Sequence, residues 1–465
     1  MNPIEELIVR AESGDVEAQF DLASEYWDKG DYEQAFFWCK KAADQGHVTA
    51  QFNLGLMYDK GEGVLQDYEQ AFYWYKRSAD QGDADAQLNL GLMYDKGQGV
   101  LQDSEQAFYW YKQSADQGNA VAQFNIGEMY DEGQGVLQDC GQAFYWYKQS
   151  AEQGNVFAQS NLGLMYYEGR GVLQDYERAF YWYKHSAEQG YVDAQFNLGL
   201  MYDKSQGIFQ DYGQAFYWYK QSADQGSVDA QINIGSMYYK GKGVLQDYEQ
   251  AFYWYKHSAD QGHEIAQFNI GLMYYKGQSV LQDYERAYYW FEQSADQGYA
   301  VAQFNLGIMY YEGQGIFQDY GQAFLWFRKA AEQGYANAQF KIGLMYYEGQ
   351  GVLQDSEQAY YWYKQSAEQG NANAQFKIGL MYYKGQGVLQ DYKQAFLWFR
   401  KAAEQGDASA QNNIGFMYEC GYGVKKNIKR AFDWYLKAKR NGHERAEKAL
   451  KNPIFDKIRI ERLIR

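Results

Sequence analysis

A 36-residue period runs through almost the whole chain. The stretch Asp83–Gly118, DADAQLNLGLMYDKGQGVLQDSEQAFYWYKQSADQG, is preceded and followed by near-copies of itself. An Ala-Gln pair marks the phase at Ala50-Gln51, Ala86-Gln87, Ala122-Gln123 and onward every 36 residues to Ala410-Gln411. One further pair, Ala18-Gln19, stands 32 residues ahead of Ala50-Gln51, giving twelve copies. A fixed period of this size means an array of supersecondary units whose stability comes from their interfaces, so 465 residues need not split into conventional domains.

One repeat encodes two helices. Over Ala84–Lys96 the small or apolar positions Ala86, Leu90, Gly91 and Met93-Tyr94 recur at helical spacing, with no Pro among them. Glycine inside a helix costs about 0.5–1 kcal/mol against alanine. Even so, Gly91 recurs in phase from Gly55 to Gly415, with Ala23 in repeat one. That predicts another helix passing too close for a Cβ. Gly97-Gln98-Gly99-Val100-Leu101-Gln102 reads as a loop, since paired glycines permit positive φ. Asp103 reads as the N-cap of a second helix with Gln106 as its capping-box partner, and Gly118 as its left-handed stop. The second helix presents Ala107, Trp110, Tyr111 and Ala115 inward, small against large, as interlocking antiparallel helices require.

The pattern A-x-x-x-L-G-x-M-Y-x-x-G-x-G-V-x-x-D-x-x-x-A-x-x-W-Y-x-x-S-A-x-Q-G resembles the Sel1-like repeat, a relative of the tetratricopeptide repeat. Ala50, Leu54-Gly55, Met57-Tyr58, Gly61, Gly63-Val64, Asp67, Ala71, Trp74-Tyr75, Ser78-Ala79 and Gln81-Gly82 carry it in repeat two. The resemblance covers roughly residues 15–446. It implies an all-α, right-handed α-solenoid superhelix of antiparallel helix pairs that acts as a scaffold for protein complexes. The expected organisation is a lead-in helix over 1–14, twelve repeats over 15–442 (15–46, then 36-residue units from 47) and a basic capping helix over 443–465. In that last segment Ile454, Ile458, Ile460 and Leu463-Ile464 are expected to pack on the last hairpin, with Arg459, Arg462 and Arg465 outward.

The net charge of −17 is unevenly spread. From Lys425 onward there are 14 Lys/Arg against 5 Asp/Glu, which leaves −26 for residues 1–424. Such an array repels nucleic acid and anionic lipid and favours neutral or basic partners. Cys39, Cys140 and Cys420 lie in different repeats and do not pair by spacing. Some secreted Sel1-like proteins carry a cysteine pair in each repeat, and this chain does not. Reduced thiols, an acidic N-terminus without a signal-peptide core and no long apolar run predict a cytoplasmic, monomeric protein without an integral membrane segment.

Within the first helix, positions equivalent to 49, 52, 53, 56 and 60 share one face. That face varies between repeats more than the constant one; position 56, mostly Leu or Ile, becomes Glu128, Ser236 and Phe416. Beside it, position 59 is Asp in the early repeats and Tyr from Tyr239 to Tyr383. By resemblance to the tetratricopeptide fold, this helix lines a concave groove. Position 53 places a ladder there: Asn89, Asn125, Asn161, Asn197, Asn233, Asn269 and Asn305, continued by Lys341 and Lys377. An amide both donates and accepts, so such a row can pair with the backbone of an extended peptide. Equally, each Asn can bond a neighbouring helix and lock repeat to repeat. Phe52, Phe196 and Phe268 either form pockets or pack between helices.

Nothing in the chain reads as catalysis, a cofactor site or a metal site. The histidines lie in separate repeats without H-E-x-x-H or Cys-His clustering, and the Gly-x-Gly loops join helix to helix rather than strand to helix. The expectation is a non-enzymatic scaffold or adaptor that holds a protein or peptide. The alternative is an immunity-type inhibitor wrapping one basic toxin or enzyme, as some bacterial Sel1-like proteins do. A hydrolase is the more distant alternative.

Overall fold

The computed structural model describes residues 3–463, and the elements among them are helices throughout. By internal packing the chain divides into two compact units. One is residues 1–230 with 242–245; the other is residues 231–241 with 246–465. Each is an all-α stack of antiparallel helix pairs in which a helix packs on its partner and on the next pair along the chain.

Repeat three shows how the sequence makes the pair. Its helices are Ala84–Lys96 and Ser104–Asp116. The Asp103 carboxylate accepts from the backbone N–H groups of Glu105 and Gln106, both at 3.0 Å, and so satisfies donors that a helix start leaves open. Gly97 ends the first helix at φ +67 and returns its N–H to the Met93 carbonyl. Gly99, at φ +69, lies where a Cβ would clash with the Tyr68 carbonyl oxygen of the preceding repeat. Two repeats depart from this rule: Ser205 and Ser279 hold φ +59 and +64 without being glycine. Left-handed backbone costs an L-residue roughly 1–2 kcal/mol, partly offset by the chain entropy glycine loses on folding. Ser205→Gly and Ser279→Gly are each expected to stabilise by about 0.5–1 kcal/mol, visible as a rise in thermal midpoint.

The mid-helix glycine has a specific cause, and it is a ring rather than a neighbouring backbone. A Cβ at any of the eleven glycines Gly55 to Gly415 would stand 2.5–2.9 Å from a ring carbon of the second helix of the same repeat. The ring is a tyrosine in most repeats and Phe291, Phe327 or Phe399 in three. In repeat one the pair is Ala23 with Cys39: where the first helix gains a methyl, the ring is gone.

The Ala-Gln pair also acquires a reason. Gln87 is buried; its Nε2 donates to the Ala79 carbonyl of the preceding repeat at 3.1 Å, and its Oε1 accepts from Gln117 Nε2 at 2.8 Å. The same relay runs from Gln45 through Gln19 to Ala11, and from Gln405 through Gln375 to Ala367. A buried amide is tolerated because each half is satisfied, one of them across the repeat boundary.

A second tie joins position 59 to the next repeat's loop. Asp131 pairs with Arg170 at 3.1 Å and Asp203 with Lys242 at 2.8 Å. At two of the repeats where position 59 is Tyr, the loop residue is Gln: the Tyr239 hydroxyl donates to Gln278 Oε1 at 2.7 Å, and Tyr311 to Gln350 at 2.6 Å.

The ends cover the array. The N-terminal helix is Pro3–Glu12, with Ala11 buried in the first core cluster. The C-terminal segment is broken rather than one helix: Glu444–Leu450, a 3₁₀ turn Pro453–Phe455, and Asp456–Leu463. Phe455 is fully buried against Phe432 and Tyr435, and Ile458 packs with it. Ile454 and Ile460 are exposed, contrary to the apolar pattern, and Arg459 folds back to the Leu450 carbonyl and Asp456. Pro453 starts a new turn and resets the helical phase, which carries Phe455 inward instead of Ile454. Ile464 and Arg465 lie outside the described residues, as do the side chains of Arg462 and Leu463.

Candidate functional site

Every position of the Asn/Lys ladder is half-buried. In the first unit it comprises Asn89, Asn125, Asn161 and Asn197; in the second, Asn233, Asn269, Asn305, Lys341 and Lys377. Asn89, Asn125 and Asn161 lie near the second helix of the repeat before them, and Lys341 and Lys377 near its first helix. Asn125 approaches the Tyr111 phenol and Asn161 the Tyr147 phenol, which eases the strong upward pull of burial on those hydroxyls. Asn89 approaches Tyr75 in the same way without closing a hydrogen bond of normal geometry. Asn305 Nδ2 donates to the Val301 carbonyl at 2.7 Å. Lys341 and Lys377 place their ammonium groups over the Tyr311 and Tyr347 rings at 4.9 and 5.5 Å. Phe52, Phe196 and Phe268 pack on Tyr75, Tyr219 and Phe291 with centroids 5.5–5.8 Å apart, so their rings serve packing inside each repeat.

On the same helix face, Glu128 stands where neighbouring repeats carry Leu92 and Leu164. Partial burial, then the carboxylates of Glu132, Asp95 and Asp131, push its carboxyl up to about 7. Asp59, beside this face, is also raised, again by burial first. The first unit thus holds a carboxyl at an apolar position with no gain in packing to account for it. The sequence signalled Glu128 only as a departure from Leu; its cost becomes visible once Asp95, Asp131 and Glu132 are placed around it.

Among the described residues no group of three or more His, Cys, Asp or Glu side chains is placed to hold a metal ion, and no helix is long and apolar enough to cross a membrane. The three cysteines are free thiols; burial pushes that of Cys39 up to about 12.

The Sel1 repeat model matches twelve successive segments, from 16–47 through 408–443. The chain is a Sel1 repeat protein. It is similar to a protective antigen of uropathogenic Escherichia coli that displays an SLR fold: 36% identity over 91% of this chain and 93% of that one, TM-score 0.78. It is also similar to a Sel1 repeat protein from Oxalobacter formigenes, with 34% identity over 66% of this chain and 90% of that one, TM-score 0.54. An immunity protein from Pseudomonas aeruginosa shares 20% identity over 46% of this chain and 81% of that one, at a TM-score of 0.29 too low to carry an argument. No curated protein matches the chain.

Sel1 repeat proteins bind protein partners, and this one shows a feature that the ladder reading missed. The loop residue of the V-L-Q turn is almost wholly exposed: Leu65, Leu101 and Phe209 in the first unit, Leu281, Phe317 and Leu389 in the second, at 88–97%. The signal was a large apolar side chain recurring inside a Gly-flanked loop, where no helical face explains it.

Proposed function

We propose that this Sel1 repeat protein is a non-enzymatic scaffold that holds a basic, extended protein segment on the first-helix face of its first unit. The observation that carries the reading is Glu128, a half-buried carboxyl crowded by Asp95, Asp131 and Glu132 at a position other repeats fill with leucine. A structural role would favour the leucine; a cationic partner side chain removes the like-charge cost that leucine never incurs. Beside it, the half-buried ladder amides Asn89, Asn125, Asn161 and Asn197 keep donor and acceptor capacity beyond a single internal bond. Helix-to-helix spacings of about 8–10 Å match roughly three residues of extended chain per amide. The second unit's ladder, with Lys341 and Lys377 among Asn233, Asn269 and Asn305, is read as less selective for basic segments. Free cysteines suit a reducing compartment, and we place the protein in the cytoplasm.

The test is selection of binders from a random 12-residue peptide library with the full chain, followed by titration of the winners. Peptides rich in Lys and Arg are expected, and Asn161→Ala with Asn197→Ala should weaken them about tenfold while the variant keeps its helical circular dichroism. Enrichment without basic residues would overturn the charge reading; equal affinity of the double variant would overturn the ladder.

A further inference from the structure

Repeat one contains a cavity that the other repeats fill with their own chain. In repeat two the Tyr75 ring lies against Gly55 and Phe52, clusters with Met93, and has the Asn89 amide at its hydroxyl. The residues at the equivalent positions one repeat earlier are Ala23 and Phe20 of repeat one with Met57 and Asn53 of repeat two, and the residue in place of the tyrosine is Cys39. Three of these walls, the Phe, the Met and the Asn, are kept; the glycine has become Ala23 and the ring is missing. The result is a cavity of about 280 Å³ lined by Phe20, Ala23, Cys39, Asn53 and Met57, with Trp27 along one side. An apolar cavity of about 150 Å³ is enough to admit benzene.

Three features of the cavity are specific. First, the methyl of Ala23 occupies only part of the room that the ring takes in repeat two, so the Ala-for-Gly exchange does not close it. Second, Trp27 stands where repeat two has Asp59, so an indole takes the place of that carboxylate, while Asp28 also lines the cavity. Third, Cys39 is tied down: its thiol donates to the Ala50 carbonyl at 3.2 Å and its ionisation is suppressed by burial. It is a wall and not a nucleophile.

We propose that this cavity is a binding site for a para-hydroxyphenyl ring, presented either as a small phenol or on a tyrosine side chain of a partner, with Asn53 at the hydroxyl. The template is the protein itself: tyrosine rings lie against Gly55, Gly91, Gly127, Gly163, Gly199, Gly235, Gly343 and Gly415. At Tyr111 and Tyr147 the next repeat's Asn stands beside the hydroxyl as Asn53 would.

The probe is p-cresol titrated into the full chain, followed by the methyl resonance of Met57 and by calorimetry, with toluene in parallel. Saturable binding is expected, with a Met57 ring-current shift and a preference of about fivefold for p-cresol over toluene from the one hydrogen bond. Asn53→Leu should remove that preference and leave the toluene affinity in place. Ala23→Gly with Cys39→Tyr, which restores the fill of the other repeats, should abolish binding of both. The Met57 and Asn53→Leu readouts stand even if that filled variant folds poorly. A third ligand, N-acetyltyrosinamide, separates the sources: binding means a tyrosine side chain fits, and its failure beside p-cresol means a small phenol. No saturation with p-cresol, equal affinity for toluene, or undiminished binding in the folded filled variant overturns the proposal.

Discussion

Replacing Tyr147 by cysteine should lower the stability of the array by about 3 kcal/mol, and adding Gly127→Ala should restore part of that loss. Tyr147 is 1% exposed, and its ring lies so close under Gly127 that a Cβ there would sit 2.6 Å from Cδ1. Truncating a large buried aromatic costs about 3–5 kcal/mol, mostly transfer and cavity terms, with cysteine at the lower end. Alone, Gly127→Ala forces its methyl into the ring, an overpacking cost of about 1–3 kcal/mol that exceeds the gain in helix propensity. Combined, the methyl enters space that the ring has left. The double variant should therefore be more stable than Tyr147→Cys alone, with a coupling of about 1–3 kcal/mol between the sites. The protein already holds this combination as Ala23 and Cys39 in repeat one. Urea denaturation followed by circular dichroism measures the cycle. Strict additivity of the two changes would mean that ring and glycine are not the coupled pair the packing implies. Because repeats unfold through neighbour interfaces, the loss concentrates around repeats three to five and should broaden the transition.

The elements themselves were legible because they rest on local chemistry repeated in phase. The helices Ala84–Lys96 and Ser104–Asp116, the Asp103 cap and the Gly118 stop all follow from signals within a few residues of each other. What could not be read are relations between distant residues. The mid-helix glycine announced a close approach, but that the intruder is the Tyr111 ring twenty residues later needs the hairpin closed. The Ala-Gln pair marks the phase in the sequence; its buried amide relay to Ala79 and Gln117 exists only once two repeats are stacked. The Asp131–Arg170 tie spans 39 residues, and in the sequence only Arg170 departs from the pattern. At the C-terminus an apolar count favoured Ile454 and Ile460, and the 3₁₀ turn at Pro453 put Phe455 inside instead. The candidate site divides the same way. The ladder was legible as a register of residue types, while the strain on Glu128 depends on carboxylates brought in from Asp95 and from its own helix.

Glu128→Leu should make the protein more stable at neutral pH and a poorer binder. The Glu128 carboxyl titrates near 7 when folded and near 4.5 when unfolded. Below 4.5 it is protonated in both states and carries no penalty. Between 4.5 and 7 the unfolded chain releases the proton first, so the folded state loses stability as pH rises, and above 7 it bears the full cost. Because the group is partly open to solvent, that cost is about 1–2 kcal/mol rather than the full shift. Leucine at 128 removes the penalty, so the variant's stability should exceed the parent's at pH 8 and match it near pH 4, as read by urea midpoints at each pH. A basic peptide selected on the parent should bind the variant about tenfold more weakly, since a half-buried charge partner is gone. The two effects have one origin, as a site that sacrifices stability for charge requires. Calorimetry adds a third readout. At pH 7 the parent carboxyl is about half protonated, so engaging a cation should release roughly half a proton, seen as different apparent enthalpies in phosphate and Tris. Glu128→Leu should abolish that difference. A peptide whose affinity and proton release are the same for both proteins would place the partner away from this face.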